Sequence, residues 1–289
     1  MEFDYVIVGG GSAGCVLAAR LSEDPQVRVA LLEAGPPDTS VLIHCPAGLA
    51  VLAKGVGGVN WALDTVPQQG LGGRRGYQPR GKVLGGSSSV NAMVYMRGHR
   101  TDYDHWAELG NRGWSYDEVL PYFKSSEHNE RGADAFHGTG GPLNVMDLHS
   151  PNRFSSVFVE AGKQAGFAEN RDFNGSEQEG VGVYQVTHKH GERFSAAKAY
   201  LTPNRSRENL KVITGAHATR IVLEGKRATG VEFVQGGVKQ QVRAMREVLV
   251  CGGALLSPQL LMLSGIGPAQ HLLENRIPVV HDLPGVGAN

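Results

Sequence analysis

Three glycines near the start of the chain, Gly9, Gly11 and Gly14, form a G-x-G-x-x-G motif that suits the pyrophosphate of a dinucleotide. The first glycine permits a tight turn, the second lets the backbone approach the pyrophosphate, and the third lets a helix and a strand pack closely. Glu33 follows Gly14 by nineteen residues, where a carboxylate can accept hydrogen bonds from a ribose. The pattern predicts a dinucleotide site, and by itself it does not choose between NAD and FAD.

The residues around the motif predict the elements that would position it. Residues 4–8 are an apolar run of strand formers, residues 13–21 are rich in Ala and Leu as in a helix, and residues 27–32 form a second apolar strand. Amide groups at the start of the helix would face the phosphates, and the helix dipole would favour their negative charge. Because these features agree with the acidic residue, a glycine turn without a ligand is the weaker interpretation.

Composition bounds the class of protein. The chain has 289 residues, which is material for roughly two domains. Lys+Arg and Asp+Glu are equal at 28 each, so no net charge favours nucleic acid or an anionic membrane, and we expect no nucleic-acid partner. The longest apolar stretch, residues 41–53, contains His44 and Pro46 and is too short to cross a bilayer. The sequence therefore predicts no transmembrane segment.

Cysteine and histidine patterns point to neither a disulfide nor a metal. Cys15, Cys45 and Cys251 lack C-x-x-C spacing, so we expect free thiols and a reducing compartment. That compartment would be the cytoplasm, with a peripheral position at the inner membrane left open. His188 and His190 would point two imidazoles to one side of a strand, but no third ligand follows at a suitable spacing. We predict no metal site.

The rest of the chain predicts further helices and strands. A Thr101 cap opens one helix that Gly110 stops, and a Ser115-x-x-Glu118 capping box opens another that Pro121 should break or kink. The later elements are a helix over 155–166, a strand over 181–187, a meander of strands over 210–214, 218–223, 228–234 and 247–251, and a helix over 257–264. Together they favour an α/β fold with a Rossmann-like parallel sheet and a β-meander.

Residues 81–94 form a second segment with ligand-binding character, Gly-Lys-Val-Leu-Gly-Gly-Ser-Ser-Ser-Val-Asn-Ala-Met-Val. Its glycines and serines offer amide groups and short hydroxyls to a phosphate or a ring edge. With this segment and residues 253–267, the chain resembles the glucose–methanol–choline (GMC) oxidoreductases, a FAD-dependent family with two signatures in this order. Lesser matches at residues 60–68 and 193–201 extend the resemblance over essentially the whole chain. It is most similar to bacterial choline and alcohol dehydrogenases.

The resemblance implies FAD contacts at the matching positions. Residues similar to the family's pyrophosphate and ribose contacts are Ser12, Ala13, Glu33 and Ala34, and Ala218 is similar to a residue whose backbone meets the adenine. The segment against the isoalloxazine and its linker is similar to Val83, Ser87, Asn91, Ala92, Met93 and Val94. Trp61 is similar to an aromatic residue near the flavin, with a simple core tryptophan as the alternative. Members that tether the flavin use a histidine where this chain has Val90, so the resemblance implies non-covalent FAD.

The resemblance also implies a division into domains and an activity. Residues 1–140 and 191–289 would belong to the FAD-binding domain, and residues 141–190 to part of a substrate domain. The family oxidises the CH–OH group of an alcohol by hydride transfer to flavin, and the flavin is reoxidised by O₂ or a quinone-type acceptor. We therefore expect a choline-like, primary or aromatic alcohol as substrate.

No residue of this chain matches the family's catalytic histidine, which lies in a motif near the C-terminus of its members. We assign no catalytic residue and expect the catalytic half beyond Asn289. Other interpretations stay open: a FAD lyase or photoenzyme of the same fold, or a FAD-binding module without catalysis. An NAD-dependent dehydrogenase is the weakest of them, because residues 81–94 would have no role in it.

Overall fold

The computed structural model describes residues 1–288, which form two compact units. The first contains Met1–Asn91 and the residues from Ser195 onward, and the second contains Ala92–Phe194. The second unit includes residues 141–190 but begins well before them, and the role of that segment in substrate binding stays a prediction. Among the described residues, no helix is both long enough and apolar enough to cross a membrane.

A six-stranded sheet forms the centre of the first unit. Its strands are β1 (Glu2–Val8), β2 (Val29–Leu32), β3 (Leu210–Ile213), β4 (His217–Glu224), β5 (Arg227–Gln235) and β6 (Val238–Val250). They follow the order β4-β5-β6-β1-β2-β3 in the sheet. β6, β1, β2 and β3 pair in parallel, whereas β4, β5 and the first part of β6 form an antiparallel meander. The predicted α/β fold, with its parallel sheet and meander, is confirmed.

Two strands differ from their predicted places. β3, expected as the first strand of the meander, lies at the opposite edge and pairs in parallel with β2. β6 begins at Val238 instead of Glu247, because its first part pairs with β5 and its second part pairs with β1 up to Val250. An apolar pattern reports the burial of a strand but not the identity of its neighbour, so these pairings could not be predicted.

The central strands of the sheet are buried on both faces. Val6 and Ile7, which point to opposite faces of β1, are both fully buried. One apolar cluster joins Val6 of β1, Leu32 of β2 and Phe233 of β5. This packing fixes the carboxyl ends of β1 and β2, from which the glycine motif and Glu33 follow.

Helices occur in both units. The longer ones are α1 (Ser12–Leu21), α2 (Arg100–Glu108), α3 (Tyr116–Ser126), α4 (Arg153–Gln164) and α5 (Gly253–Leu263). Shorter helical segments are Val41–His44, Pro46–Gly48, Leu49–Leu52, Val56–Gly58, Gln69–Leu71, Gly86–Ser89, Ala197–Leu201, Thr202–Asn204 and Ala269–Glu274. Short strands outside the main sheet are Leu63–Asp64, Tyr77–Gln78, Glu127–Asn129, Leu143–Val145, His188–Lys189, Glu192–Arg193, Ile266–Gly267 and His281–Asp282.

Some helix boundaries differ from the prediction. α2 is capped by His99 and not by Thr101, since the Thr101 N–H donates to His99 Nδ1 at 3.3 Å. The predicted capping box of α3 is present. Pro121 lies inside α3 but does not break it, because a single proline removes one backbone donor and the other bonds of the helix remain. Residues 181–187 form no strand, and Val181 and Val186 make only isolated bridges.

Buried charges hold part of the second unit together. His137 lies between two carboxylates: its Nδ1 is 3.0 Å from Glu127 Oε1, and its Nε2 is 3.0 Å from Asp172 Oδ2. Glu127 is completely buried and also pairs with Arg97 at 2.9 Å. Hydrogen bonds to Asp172 and Glu127 raise the pKa of His137 to about 9. The ring is therefore charged at neutral pH and links segments that are far apart in the chain.

The pKa values of the two carboxylates, Glu127 and Asp172, are lowered, whereas that of His137 is raised. The hydrogen bond from His137 lowers the pKa of Asp172 despite its partial burial. Burial would raise the pKa of Glu127, but the His137 and Gly138 hydrogen bonds and the Arg97 charge outweigh it, and the pKa is lowered. Both carboxylates therefore stay ionised at neutral pH.

Alkaline pH should destabilise the protein through His137. Its folded-state pKa of about 9 lies above the ordinary 6.5, so its stabilisation is complete below pH 6.5 and is lost as the pH rises through about 9. Thermal unfolding, followed by circular dichroism over this pH range, measures the loss. His137→Gln is the control: it removes the positive charge between Glu127 and Asp172 and should lower stability at neutral pH, although Glu127 keeps its ion pair with Arg97. It should also flatten the alkaline slope, and equal slopes in the two proteins would contradict the charged state of His137.

Candidate functional site

A cavity of about 480 Å³ lies in the first unit, at the carboxyl ends of β1 and β2. This edge is where open parallel sheets bind ligands. Many of the residues predicted from the sequence line it: Gly9, Gly11, Ser12, Ala13, Glu33, Ala34, Trp61, Ser87 and Ala218. The glycine motif and the residues around Glu33 therefore share one cavity.

Backbone contacts explain the three glycines of the motif. Gly9 has φ +104°, and a Cβ there would strike the Cys251 carbonyl. A Cβ on Gly14 would strike the Gly9 carbonyl, so α1 packs directly on the turn. Gly11 differs, because it lines the cavity and the atom nearest to its Cβ position is the Gly86 Cα at 3.9 Å. The first and third glycines serve the fold, and the second leaves space at the start of α1.

The start of α1 offers amide groups to a ligand. Its cap residue is Gly11, and no side chain caps the helix. Ser12 and Ala13, the first two residues of α1, line the cavity. The first amide groups of a helix have no partner within it and carry the positive end of the helix dipole. A phosphate group fits this place.

The Glu33 carboxylate holds two turns in place. Its Oε2 accepts the Gly10 N–H and its Oε1 accepts the Gly35 N–H, both at 2.7 Å. The residue lines the cavity but is only 5% exposed. Burial raises the pKa of Glu33, against the lowering effect of the two N–H donors and of Lys82. Each carboxylate oxygen can still accept a further hydrogen bond, so the predicted ribose contact is compatible with this structural role.

The first part of segment 81–94 packs on the glycine motif. The Gly85 N–H donates to the Gly10 carbonyl at 2.7 Å, and Ser87 lines the cavity. Val83 does not line it, because its side chain is fully buried in an apolar cluster that also contains Val90. Val83 therefore anchors the segment to the apolar core and does not offer its side chain to a ligand.

The last part of the segment is not in the lining of this cavity. Asn91 belongs to the first unit but does not line the cavity. Ala92, Met93 and Val94 belong to the second unit, where they line a cavity of about 570 Å³. Met93 has φ +60°, a backbone conformation that residues other than glycine rarely adopt and that often marks a functional position. The flavin contacts expected at these four residues stay a prediction.

Trp61 and His217 meet at one side of the cavity. Their rings are 5.4 Å apart at an interplanar angle of 69°, an edge-to-face contact. The Lys82 Nζ lies 4.6 Å from the centre of the Trp61 ring. Partial desolvation of His217 at the cavity wall and the Lys82 charge lower the pKa of its imidazole, which is therefore neutral at physiological pH. Ala218, the residue expected to meet adenine, follows His217 directly.

Several lining residues were not predicted individually as cofactor contacts, although some of them lie in segments 81–94 and 253–267. They are Val8, Leu32, Arg80, Gly81, Gly86, Ala216, His217, Val250, Cys251, Gly252, Gly253, Ala254, Leu255, Leu256, Ser257, Gln259, Leu260 and Leu263. Gly252 and Gly253 form a second strand-to-helix turn after β6, and the residues from Gly253 onward belong to the second segment on which the resemblance rests. Arg80 and His217 carry no such pattern, since only the fold brings them to the cavity.

His188 and His190, the pair considered from the sequence, belong to no group of three or more potential metal ligands within residues 1–288. His188 Nε2 lies 3.0 Å from Met93 Sδ, and His190 occupies a left-handed turn with φ +54°. Within residues 1–288, the group with ligand atoms close enough for a metal is Asp134, His137 and Asp172. Both ring nitrogens of His137 already contact carboxylates, so its charge accounts for this cluster without an ion.

Comparison with known proteins agrees with this geometry. The sequence pattern of the family described as GMC oxidoreductase matches residues 3–289. The chain belongs to the GMC oxidoreductase family. It is 52% identical to the alcohol dehydrogenase [acceptor] of Pseudomonas putida, over 99% of this chain and 52% of that protein. It is 50% identical to the oxygen-dependent choline dehydrogenase of Brucella ovis, over 100% of this chain and 52% of that protein.

A solved structure shows the same fold at high similarity. The pyridoxine 4-oxidase from Mesorbium loti superposes with a TM-score of 0.93 at 40% identity, covering 98% of this chain and 55% of that one. The chain thus spans about half the length of the relatives that it matches.

Replacing Glu33 should weaken the fold as well as the site. Glu33→Ala leaves the buried Gly10 and Gly35 N–H groups without acceptors, and each lost acceptor costs roughly 1–3 kcal/mol. Glu33→Gln is the matched control, since its amide oxygen keeps one of the two bonds and its loss should be smaller. Urea unfolding monitored by circular dichroism measures both. Unchanged stability of Glu33→Ala would show that the carboxylate does not hold the two turns.

Proposed function

We propose that this chain binds FAD and forms the cofactor-binding part of an enzyme that oxidises the CH–OH group of an alcohol. One observation carries the proposal: the cavity joins an uncapped helix start, a buried acidic residue at the tip of β2 and the first part of the family signature at residues 81–94. These features suit the pyrophosphate and a ribose of one extended dinucleotide. The family membership supports FAD over NAD.

The residues present fit this cofactor. The space at Gly11 is one that a side chain would reduce, and Ser12 and Ala13 place amide groups beside it. Glu33 offers acceptor capacity to a ribose, and Arg80 adds a cation to the lining. Backbone and neutral groups make up most of the cavity surface, so a pyrophosphate would meet the positive end of α1.

FAD would supply an acceptor for the hydride of an alcohol. The described residues hold the cofactor, while removal of the hydroxyl proton needs a general base of suitable pKa. Among the described residues, His217 is the histidine that lines the cavity, and it lies beside the position expected for adenine. We therefore assign no base in this chain. We place the base in the segment that, in the relatives, follows the half matched here.

Val90 supports non-covalent attachment of FAD. It stands where tethering members of the family have a histidine, and its aliphatic side chain packs with Ile43 and Val59 in an apolar cluster. Such a side chain forms no bond to a flavin. We propose that the cofactor dissociates intact when the protein unfolds.

We propose a choline-like, primary or aromatic alcohol as substrate, on the strength of the alcohol and choline dehydrogenases among the relatives. The electron acceptor would be O₂ or a quinone-type compound. Residues 141–190, within the second unit, would contribute to the substrate domain. We propose a cytoplasmic location, since all three cysteines are free thiols in the structure.

Two alanine variants separate cofactor binding from folding. Gly11→Ala adds a methyl group where the cavity is open, so it should lower FAD affinity at least about tenfold, or about 1.4 kcal/mol, with little change in thermal stability. Gly14→Ala forces a methyl group against the Gly9 carbonyl and should cost roughly 1–3 kcal/mol of stability or more. FAD titration measures the change in affinity, and thermal unfolding measures the change in stability. In a separate test of non-covalent attachment, acid precipitation of the FAD-loaded protein should release unmodified FAD. Tight FAD binding by Gly11→Ala would place the pyrophosphate elsewhere.

The chain alone should bind FAD without oxidising alcohols. Without a positioned base the reaction loses typically 10²–10⁴-fold in rate, and lost positioning of the substrate lowers it further. Anaerobic mixing of the FAD-loaded chain with choline, a primary alcohol and an aromatic alcohol tests this by flavin bleaching. Rapid bleaching that depends on an alcohol would show that the base lies within residues 1–289, with His99, His105, His188 and His190 as the first candidates.

A further inference from the structure

We propose that Trp61 and His217 form the aromatic wall that receives the adenine of the cofactor, so that this chain recognises the adenosine half by itself. The inference rests on the proposed FAD function and assigns these two side chains within it. The resemblance placed Trp61 near the flavin ring and gave no role to His217. Their positions in the structure point to the other end of the cofactor.

His217 lies beside Glu33, at the end of the cavity where the ribose next to adenine is expected. In a dinucleotide-binding fold, the acidic residue at the end of the second strand binds the ribose next to adenine. Here that residue is Glu33. Its backbone carbonyl accepts the Ala216 N–H at 2.8 Å, which fixes His217 beside it. The Gly215 N–H donates to the Gly35 carbonyl at 2.9 Å in the same stretch. The segment that carries His217 is thus tied to the ribose end of the cavity.

Trp61 reaches the same end from a different segment. A Cβ on Gly35 would strike the Lys82 carbonyl, so the backbone at Lys82 lies directly against the end of β2. The Lys82 N–H donates to the Val59 carbonyl and the Trp61 N–H to the Arg80 carbonyl, both at 2.8 Å. These bonds pair the Trp61 segment with the Lys82 segment. The Trp61 segment is therefore held, through Lys82, beside Gly35 just after the end of β2, and the indole lies next to His217.

The chemistry of the two rings suits a purine. Both side chains line the cavity, the indole partly buried and the imidazole exposed. The lowered pKa of His217 leaves a neutral aromatic ring, which can pack against a flat base. Two contacts fix the orientation of Trp61 before a ligand binds: the Lys82 ammonium group packs over the indole ring, and the His217 ring meets it edge to face. Ala218, the next residue along the chain, then offers its backbone to the polar edge of the base.

Of the segment expected against the isoalloxazine and its linker, Ser87 lines this cavity, but the last four residues do not. Asn91 does not line this cavity, and Ala92, Met93 and Val94 belong to the second unit. The lining that contains Trp61, His217 and Glu33 therefore includes none of these four residues. The position of Trp61 at the ribose end of this cavity favours adenine over isoalloxazine as the ring that it meets.

Titration with halves of the cofactor tests the inference. The unaltered chain is titrated with FAD, ADP and FMN, following tryptophan fluorescence and binding heat. We expect ADP to quench the fluorescence and FMN to leave it unchanged. Trp61→Leu should remove the quenching, and Trp61→Leu and His217→Ala should each weaken ADP and FAD binding roughly tenfold, as is typical for loss of a ring stacked on a base. Trp61→Phe should restore most of the affinity.

Trp106→Leu is the matched control, because Trp106 is an exposed tryptophan of α2 in the second unit. It should keep the quenching and the affinity, and thermal unfolding checks that every variant folds. Quenching by FMN and not by ADP would overturn the inference and return Trp61 to the flavin end. Unchanged FAD and ADP affinity in both Trp61→Leu and His217→Ala would overturn it as well. An unaltered chain that takes up no FAD would overturn the proposed function, and this inference with it.

Discussion

Direct backbone contact between glycine turns is the constraint on which the cavity depends. A Cβ on Gly9 would meet the backbone of Cys251, and one on Gly14 would meet that of Gly9. A Cβ on Gly35 would meet the backbone of Lys82, and one on Gly86 would meet that of Gly11. Any side chain at these positions would push the turns apart. The contacts bring the ends of β1, β2 and β6 together with the signature segment. Glu33 then locks the arrangement through two buried hydrogen bonds. Pocket and fold are therefore built from the same contacts.

The sequence predicted the turns and helix starts whose residues lie within a few positions of one another. The motif from Gly9 to Gly14 predicted the strand, the turn and α1, because each glycine answers a requirement within a few residues. The Ser115 capping box predicted the start of α3 for the same reason. The parallel pairing of β3 with β2 and the position of His217 depend on contacts between segments that are far apart in the chain, such as Val29 with Leu210 and Glu33 with Ala216. No local pattern of residues records such contacts.

The two units are stabilised by different means. The first has a continuous apolar cluster across its sheet. The second buries Arg97, Glu127 and His137 and has a small apolar cluster of Met93, Met146 and Val186. α4 has no fully buried residue, and Phe154 and Phe158 on it are largely exposed. Buried ion pairs must all be satisfied at once, whereas an apolar cluster loses contacts gradually. The second unit therefore depends more on the ionisation of single side chains.

The uncapped start of α1 links the amount of folded protein to the supply of its ligand. Helix starts are usually completed by a side chain of the same polypeptide, but Gly11 provides none. A bound phosphate would complete the helix in its place, so the ligand acts as a missing part of the secondary structure. A ligand at a hundred times its dissociation constant adds about 2.7 kcal/mol to the stability of the folded state. In a cell short of that ligand, more of the chain would be unfolded and open to proteolysis, and its abundance would fall without any change in its synthesis.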